Sequence, residues 1–261
     1  EEEVQADVDS YKAWLLKEDD TIIGESLTKI LQPQVSFVLM DQKTGYVKAI
    51  SGGRGAKTAN LTLNRATNTP RQPGSTFKVI SAFAPALDTC GATLGTVYYD
   101  SVYSVGNKTF NNWYGQKYTG YSSIRDGIIY SMNIVAVRCL METVSPQLGL
   151  EYAENFGITT LTSQDLGASQ TLGGLTHGTT NLELTAAYAS IANEGIYTRP
   201  VFFTKILDHD GKILINNEPE THRVLKDSTA FLLTDAMAGS METNRKFGSS
   251  INSTSARANI P

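Results

Sequence analysis

The stretch from Pro73 to Pro85 constrains this chain more than any other part of its 261 residues. Pro73-Gly74 interrupts the backbone, and Phe77, Val79, Ile80, Ala82, Phe83 and Ala84 then follow with scarcely a polar gap. A helix that is apolar round most of its circumference needs protein on every side. It therefore belongs at the centre of a domain, with other elements wrapped about it. Pro85 is expected to kink or end this helix, because an internal proline forfeits a backbone hydrogen bond and crowds the preceding turn. A hydrophobic fraction of 41% against 18% charged is enough for an ordinary globular core around it.

Two residues in this frame carry chemistry. A serine hydroxyl is a weak nucleophile until a base removes its proton. In Ser75-Thr76-Phe77-Lys78 the serine and lysine are three apart, which on a helix brings their Cβ atoms to about 5–6 Å. To act as the base, Lys78 must be neutral, with its pKa lowered from about 10.4 to about 7–8. Burial shifts it in that direction. The Pro73-Gly74 break sets Ser75 at the helix start, where free backbone N–H groups face an incoming acyl oxygen. Ser26-Leu27-Thr28-Lys29 repeats the spacing without a preceding break and is expected on a solvated face. Downstream, Ser131-Met132-Asn133 lies between a Gly-containing turn and apolar Ile134, Val135 and Val137. On its own Ser131 reads first as a helix cap. The chemical alternative makes it a proton relay for Lys78, with the Asn133 amide holding the lysine and a substrate carbonyl. Ser250-Ile251-Asn252 repeats this spacing in a Ser- and Asn-rich tail and reads as accidental.

The remaining chain supplies a frame. Residues 35–40 and 46–50 read as strands joined by the turn Asp41-Gln42-Lys43-Thr44-Gly45. The Gly52-Gly53-Arg54-Gly55 cluster lacks the strand-to-helix setting of a phosphate loop. Residues 95–121, rich in Tyr, Asn, Gly and Ser, are expected to form a long surface loop. Helices are expected over 123–142, 181–193 and 227–238, the last capped at its start, and a hairpin over 202–215 centred on Asp210-Gly211. Tyr11, Trp14, Leu15 and Ile22 point to one or two helices within 1–31. A formal charge of −4 argues against nucleic acid, and three histidines with two cysteines leave too few ligands for zinc. No apolar run nears the roughly 18 residues that span a bilayer. Cys90 and Cys139 read as isolated thiols, with a disulfide left open.

In order along the chain, several blocks resemble the class A, bifunctional penicillin-binding proteins. They are Asn64-Arg65-Ala66 with Arg71 to Lys78, Ile124 to Gly127 before Ser131-Met132-Asn133, Ala136-Val137-Arg138, Leu172-Gly173-Gly174 and Leu184 to Ala189. The resemblance implies a mixed α/β penicilloyl-serine transferase fold: a mostly antiparallel five-stranded sheet, helices on both faces and a helical subdomain. The hairpin at 35–50 would be the first two strands. Residues 1–31 would be linker helices from an upstream glycosyltransferase domain. Residues 32–261 would be a transpeptidase domain without its last three strands. It also implies D,D-transpeptidation of peptidoglycan stem peptides, with β-lactams as inhibitors. Ser75 would be the nucleophile, Lys78 the base, Ser131 the relay, Asn133 the positioner and Trp113 a neighbour of the cleft. No cofactor is implied, and the enzyme would work on the outer face of the bacterial cytoplasmic membrane, its anchor outside this chain.

The resemblance also has a gap. The family's third motif, Lys-Thr-Gly, is expected shortly beyond Pro261, on a C-terminal piece of the same domain that stays bound. Lys43-Thr44-Gly45 precedes the nucleophile and reads as turn chemistry. A serine β-lactamase and a penicillin-sensing receptor domain are the alternative readings. Glu151-x-x-x-Asn155 imitates a deacylating glutamate but is placed by the resemblance on a structural helix.

Overall fold

The computed structural model describes residues 2–21, 33–55, 57 and 59–241. The Ser26-to-Lys29 and Ser250-to-Asn252 repeats lie outside the described residues. The chain divides into two units, 1–33 and 34–261. In the first, helix α1 spans Glu2–Leu15, with the Tyr11 and Trp14 rings tilted 5.7 Å apart.

The second unit opens with β1 (Phe37–Met40) and β2 (Val47–Ser51), antiparallel, with Phe37 opposite Ser51. Asp41 builds the turn between them: its Oδ1 accepts from the Lys43 and Thr44 N–H groups, each at 3.0 Å. Gly45 closes the turn at φ +73°, where a Cβ would also run into the Arg199 carbonyl. Helix α2 (Arg65–Asn68) follows, capped by the Asn64 side chain on Ala66 N–H. The central helical segment comes next. It is a 3-10 turn at Gly74–Thr76, a π-helical stretch at Val79–Phe83 and then α3 (Ala84–Asp88).

Pro85 does not end this segment. It occupies the first turn of α3, where a missing N–H costs nothing. The π stretch just upstream bonds Ala84 N–H to Val79 O, widening the helix where the proline ring would otherwise crowd a carbonyl. As its apolar circumference requires, the segment is buried from Phe77 to Ala86, and Phe77, Val79, Ile80, Ala82, Phe83 and Ala84 all lie in the main core.

Residues 95–121 depart from the expected loop. They hold β3 (Val97–Asp100), β4 (Tyr103–Val105) and β5 (Lys108–Phe110), and β6 (Gly120–Ser123) begins at their end. β3 pairs antiparallel with β6, and β4 with β5. Tyr98 and Asp100 are buried while Val97 and Tyr99 are exposed, a strand alternation that polar composition masks. The helices α4 (Ile124–Ile129), α5 (Asn133–Arg138), α6 (Pro146–Asn155) and α7 (Asn181–Ala192) follow. Then come β7 (Ile196–Thr198), the hairpin β8 (Lys205–Leu207) and β9 (Ile213–Asn216), β10 (Thr221–Arg223) on β7, and α8 (Asp227–Ala238). At the start of α8, Lys226 takes the cap position without a side-chain bond. Asp227 is instead the first helical residue, accepting from Ser228 N–H at 2.7 Å. The architecture is mixed α/β: helices around a central helix, with short antiparallel strands in pairs among the described residues.

Candidate active site

Lys78 sits at the bottom of the site. Its side chain leaves the central helix into the core, and only 2% of the residue is exposed. Nζ donates to Ser131 O at 2.6 Å, to Ser131 Oγ at 3.0 Å and to Asn133 Oδ1 at 2.6 Å. Burial lowers its pKa from 10.5 to about 7. Ser75, less than one helical turn upstream, is exposed. Its turn is clamped from outside. Gly173, at φ +74°, packs so closely on Gly74 that a Cβ there would overlap the Gly74 backbone. The Gln72 amide bonds both ways to Leu175: its Nε2 to the carbonyl, its Oε1 from the N–H at 2.8 Å. Tyr188 from α7 donates to Thr76 O at 2.7 Å.

The expected helix over 123–142 is broken between Ile129 and Asn133. A capping box of Ser123 and Asp126 starts α4, which ends at Ile129. Ser131 then adopts φ +49°, a left-handed conformation that costs a non-glycine residue about 1–2 kcal/mol. Met132 N–H bonds back to Gly127 O at 3.0 Å, and α5 restarts at Asn133. The break turns both the Ser131 hydroxyl and its carbonyl toward Lys78, which an uninterrupted helix would not allow.

A loop fastens this turn. Asn112 Oδ1 accepts from Asn133 N–H at 2.9 Å and Ile134 N–H at 3.3 Å. Asn133 Nδ2 donates to Asn111 O at 2.8 Å, which leaves Oδ1 for the lysine. Asn112 Nδ2 donates in turn to buried Asp100 at 2.7 Å. Trp113 closes the group: its indole N–H donates to Tyr130 O at 3.1 Å, next to Ser131, while 57% of the residue stays exposed. Sequence reading passed over Asp100, Asn111 and Asn112. The only signal was a pair of asparagines ahead of Trp113 in a stretch read as loop.

The decoys fall elsewhere. Lys43 is exposed in the β1–β2 turn and shares no hydrogen bond with Ser75, Lys78 or Ser131. Glu151 lies on the exposed side of α6, bonded to Gln147 at 3.1 Å. Cys90 and Cys139 are free thiols, and burial pushes Cys139 up to about 12, so it stays protonated.

The family model for the penicillin-binding protein transpeptidase domain matches residues 35–256. The chain belongs to that family. Its transpeptidase domain is of the class A kind. It is 34% identical over 237 residues to penicillin-binding protein 1A of Clostridium tetani, covering 84% of this chain and 30% of that one. It is 35% identical over 199 residues to penicillin-binding protein 1F of Bacillus subtilis, covering 76% and 27%. The chain thus spans less than a third of the length of these relatives. Among solved structures, penicillin-binding protein 1A from Haemophilus influenzae superposes with a TM-score of 0.68 at 25% identity, covering 79% of this chain and 35% of that one. PonA1 from Mycobacterium tuberculosis in complex with penicillin V gives 0.69 at 24% identity, over 79% and 56%. At that identity the second likeness speaks for the fold alone.

Proposed function

We propose that this domain cross-links peptidoglycan stem peptides as a D,D-transpeptidase through an acyl-enzyme on Ser75. One observation carries the reading: a buried lysine with a pKa near neutrality, held by Ser131 and Asn133, three residues after an exposed serine. In the first half-reaction Ser75 Oγ attacks the carbonyl carbon before the terminal D-alanine, and Lys78 takes the hydroxyl proton. The resulting oxyanion faces the N–H groups at the helix start. Its collapse breaks the C–N bond. Ser131 passes the proton from Lys78 to the departing nitrogen, so D-alanine leaves and an ester remains. In the second half an amine of a neighbouring stem peptide attacks that ester, and its proton returns by the same relay to Ser75 Oγ. A β-lactam enters at the first half, but its leaving nitrogen stays tethered and the ester persists. Each step is an acyl or proton transfer and calls for no cofactor.

Trp113 is assigned the rim of the cleft. The wall opposite is assigned to a Lys-Thr-Gly strand from another piece of the same domain. Lys43-Thr44-Gly45 is committed to a turn, and β1 leaves Phe37 and Leu39 uncovered. Residues 1–31 are assigned to the linker from an upstream glycosyltransferase domain, and the enzyme to the outer face of the cytoplasmic membrane. Among the described residues no helix is long and apolar enough to cross a membrane.

The test is intact mass and peptide mapping of the full-length protein after incubation with benzylpenicillin. A single long-lived adduct on Ser75 is expected. An adduct on Ser26, or one that persists in Ser75→Ala, overturns the assignment, and rapid turnover of the drug makes the protein a β-lactamase instead.

A further inference from the structure

We propose that Asn112, held by the buried Asp100 side chain, is the positioning residue that sets Asn133 and Ser131 against Lys78; this deepens the transpeptidase reading and rests on it. The first N–H groups of a helix need acceptors, and a side chain at the cap position usually supplies one. Met132 holds that position in α5 and has no polar group to offer. Asn112 serves instead, from 21 residues upstream, taking both the Asn133 and Ile134 N–H groups on one oxygen.

Its amide is fixed in orientation. With Oδ1 facing two donors, Nδ2 must face an acceptor, and that acceptor is Asp100 Oδ1 at 2.7 Å. Asp100 is anchored in turn, its Oδ2 accepting from Thr119 N–H at 2.9 Å and Thr119 Oγ1 at 3.1 Å. Asp100 is 1% and Asn112 4% exposed, so water cannot substitute for either partner. Asn111 O completes the arrangement by claiming Asn133 Nδ2. Asn133 therefore shows oxygen to the lysine. Turned the other way, it would present N–H groups to a donor. Asn112 touches no reacting atom and acts only through Asn133 and the turn before it.

The donor–acceptor logic can be reversed without changing the net charge. Asp100→Asn alone keeps oxygen toward Thr119 and so turns its new NH₂ onto the Asn112 NH₂. Asn112→Asp alone sets two carboxyl groups face to face. Together, the new amide at 100 donates to the new carboxyl at 112, and every bond of the chain is restored. The measurements are hydrogen exchange at the Asn133 and Ile134 amides and benzylpenicillin acylation, with binding and bond formation resolved kinetically. They are made on the full-length protein.

Each single variant is expected to speed exchange at both amides, and to slow bond formation, by at least about tenfold, with binding changed less than about threefold. The double variant is expected to return both quantities to within about threefold of wild type. Unchanged single variants, or a double variant as impaired as the singles, overturns the proposal. If a single variant does not fold, the double variant alone decides: wild-type exchange at both amides upholds the positioning role, and anything else removes it. A wild type that is never acylated at Ser75 sinks the transpeptidase reading, while the exchange pattern still decides the role of Asn112.

Discussion

In the proposed reaction Lys78 must carry a lone pair when substrate arrives, and its surroundings are balanced around that requirement. Desolvation favours the neutral amine, while three acceptors within 3.0 Å favour the ammonium. Ser131 eases the conflict because its hydroxyl can either accept from the amine or donate to it. A base titrating near 7 works only when deprotonated. The acylation rate is therefore expected to be flat above pH 8 and to fall about tenfold per unit well below pH 7, measured by stopped-flow with a chromogenic β-lactam. Lys78→Arg keeps a cation that cannot be deprotonated, so its acylation is expected to be as low as that of Lys78→Ala at every pH. A rate comparable to wild type in Lys78→Arg removes the base role. The spacing of Ser75 and Lys78 was legible because it is local, a matter of less than one helical turn. The contact between Lys78 and Asn133 spans 55 positions and came from resemblance. Asp100 carries no signal and Asn112 only its place in an asparagine pair, since a buried asparagine in a polar stretch looks like any loop residue until its partners are seen.

At the scale of elements, the places where pattern reading failed are the places where the site is built. Periodicity carries a helix through 123–142 because Tyr130, Ser131 and Met132 include no glycine or proline, although the Gly127 turn and the cap reading of Ser131 already point to an interruption there. The break is held by Asn112, from 21 residues upstream, and within the stretch by the close packing of Gly127 on Val135. Pro85, a strong local stop signal, was overridden by a π stretch that nothing in the composition announces. The Ser75 turn depends on a neighbour of a different kind. Gly173→Ala adds left-handed strain of at least about 1 kcal/mol and drives a methyl into the Gly74 backbone. Gly91→Ala is the control, since φ there is +72° with nothing within 4 Å of the added carbon. Both variants are expected to lose stability in urea unfolding. Only Gly173→Ala is expected to lose acylation, by at least about tenfold, because a displaced nucleophile costs rate steeply. Equal acylation in the two variants removes Gly173 from the positioning of Ser75.

For the whole molecule, the fold class came from the resemblance carried by the ordered family blocks, while the apolar helix gave only its own central place, and neither depends on exact element boundaries. The paired strands β3 to β6 escaped notice because strands of three or four residues leave too short an alternation to stand out against Tyr, Ser and Asn. The two Lys-Thr-Gly readings divide at this scale too. If the turn copy is scaffold only, Lys43→Ala is expected to change acylation by less than about threefold, as a surface substitution worth at most about 0.5 kcal/mol does. A larger loss would bring the hairpin tip into the reaction. Ser131 has a consequence that reaches the molecule's evolution. Its left-handed backbone would be relieved by glycine or asparagine, so selection for thermal tolerance alone pulls this position toward residues that lack the hydroxyl. With Ser131 as the proposed relay, a library at this position ranked by melting temperature alone is expected to enrich variants that fold well and acylate slowly.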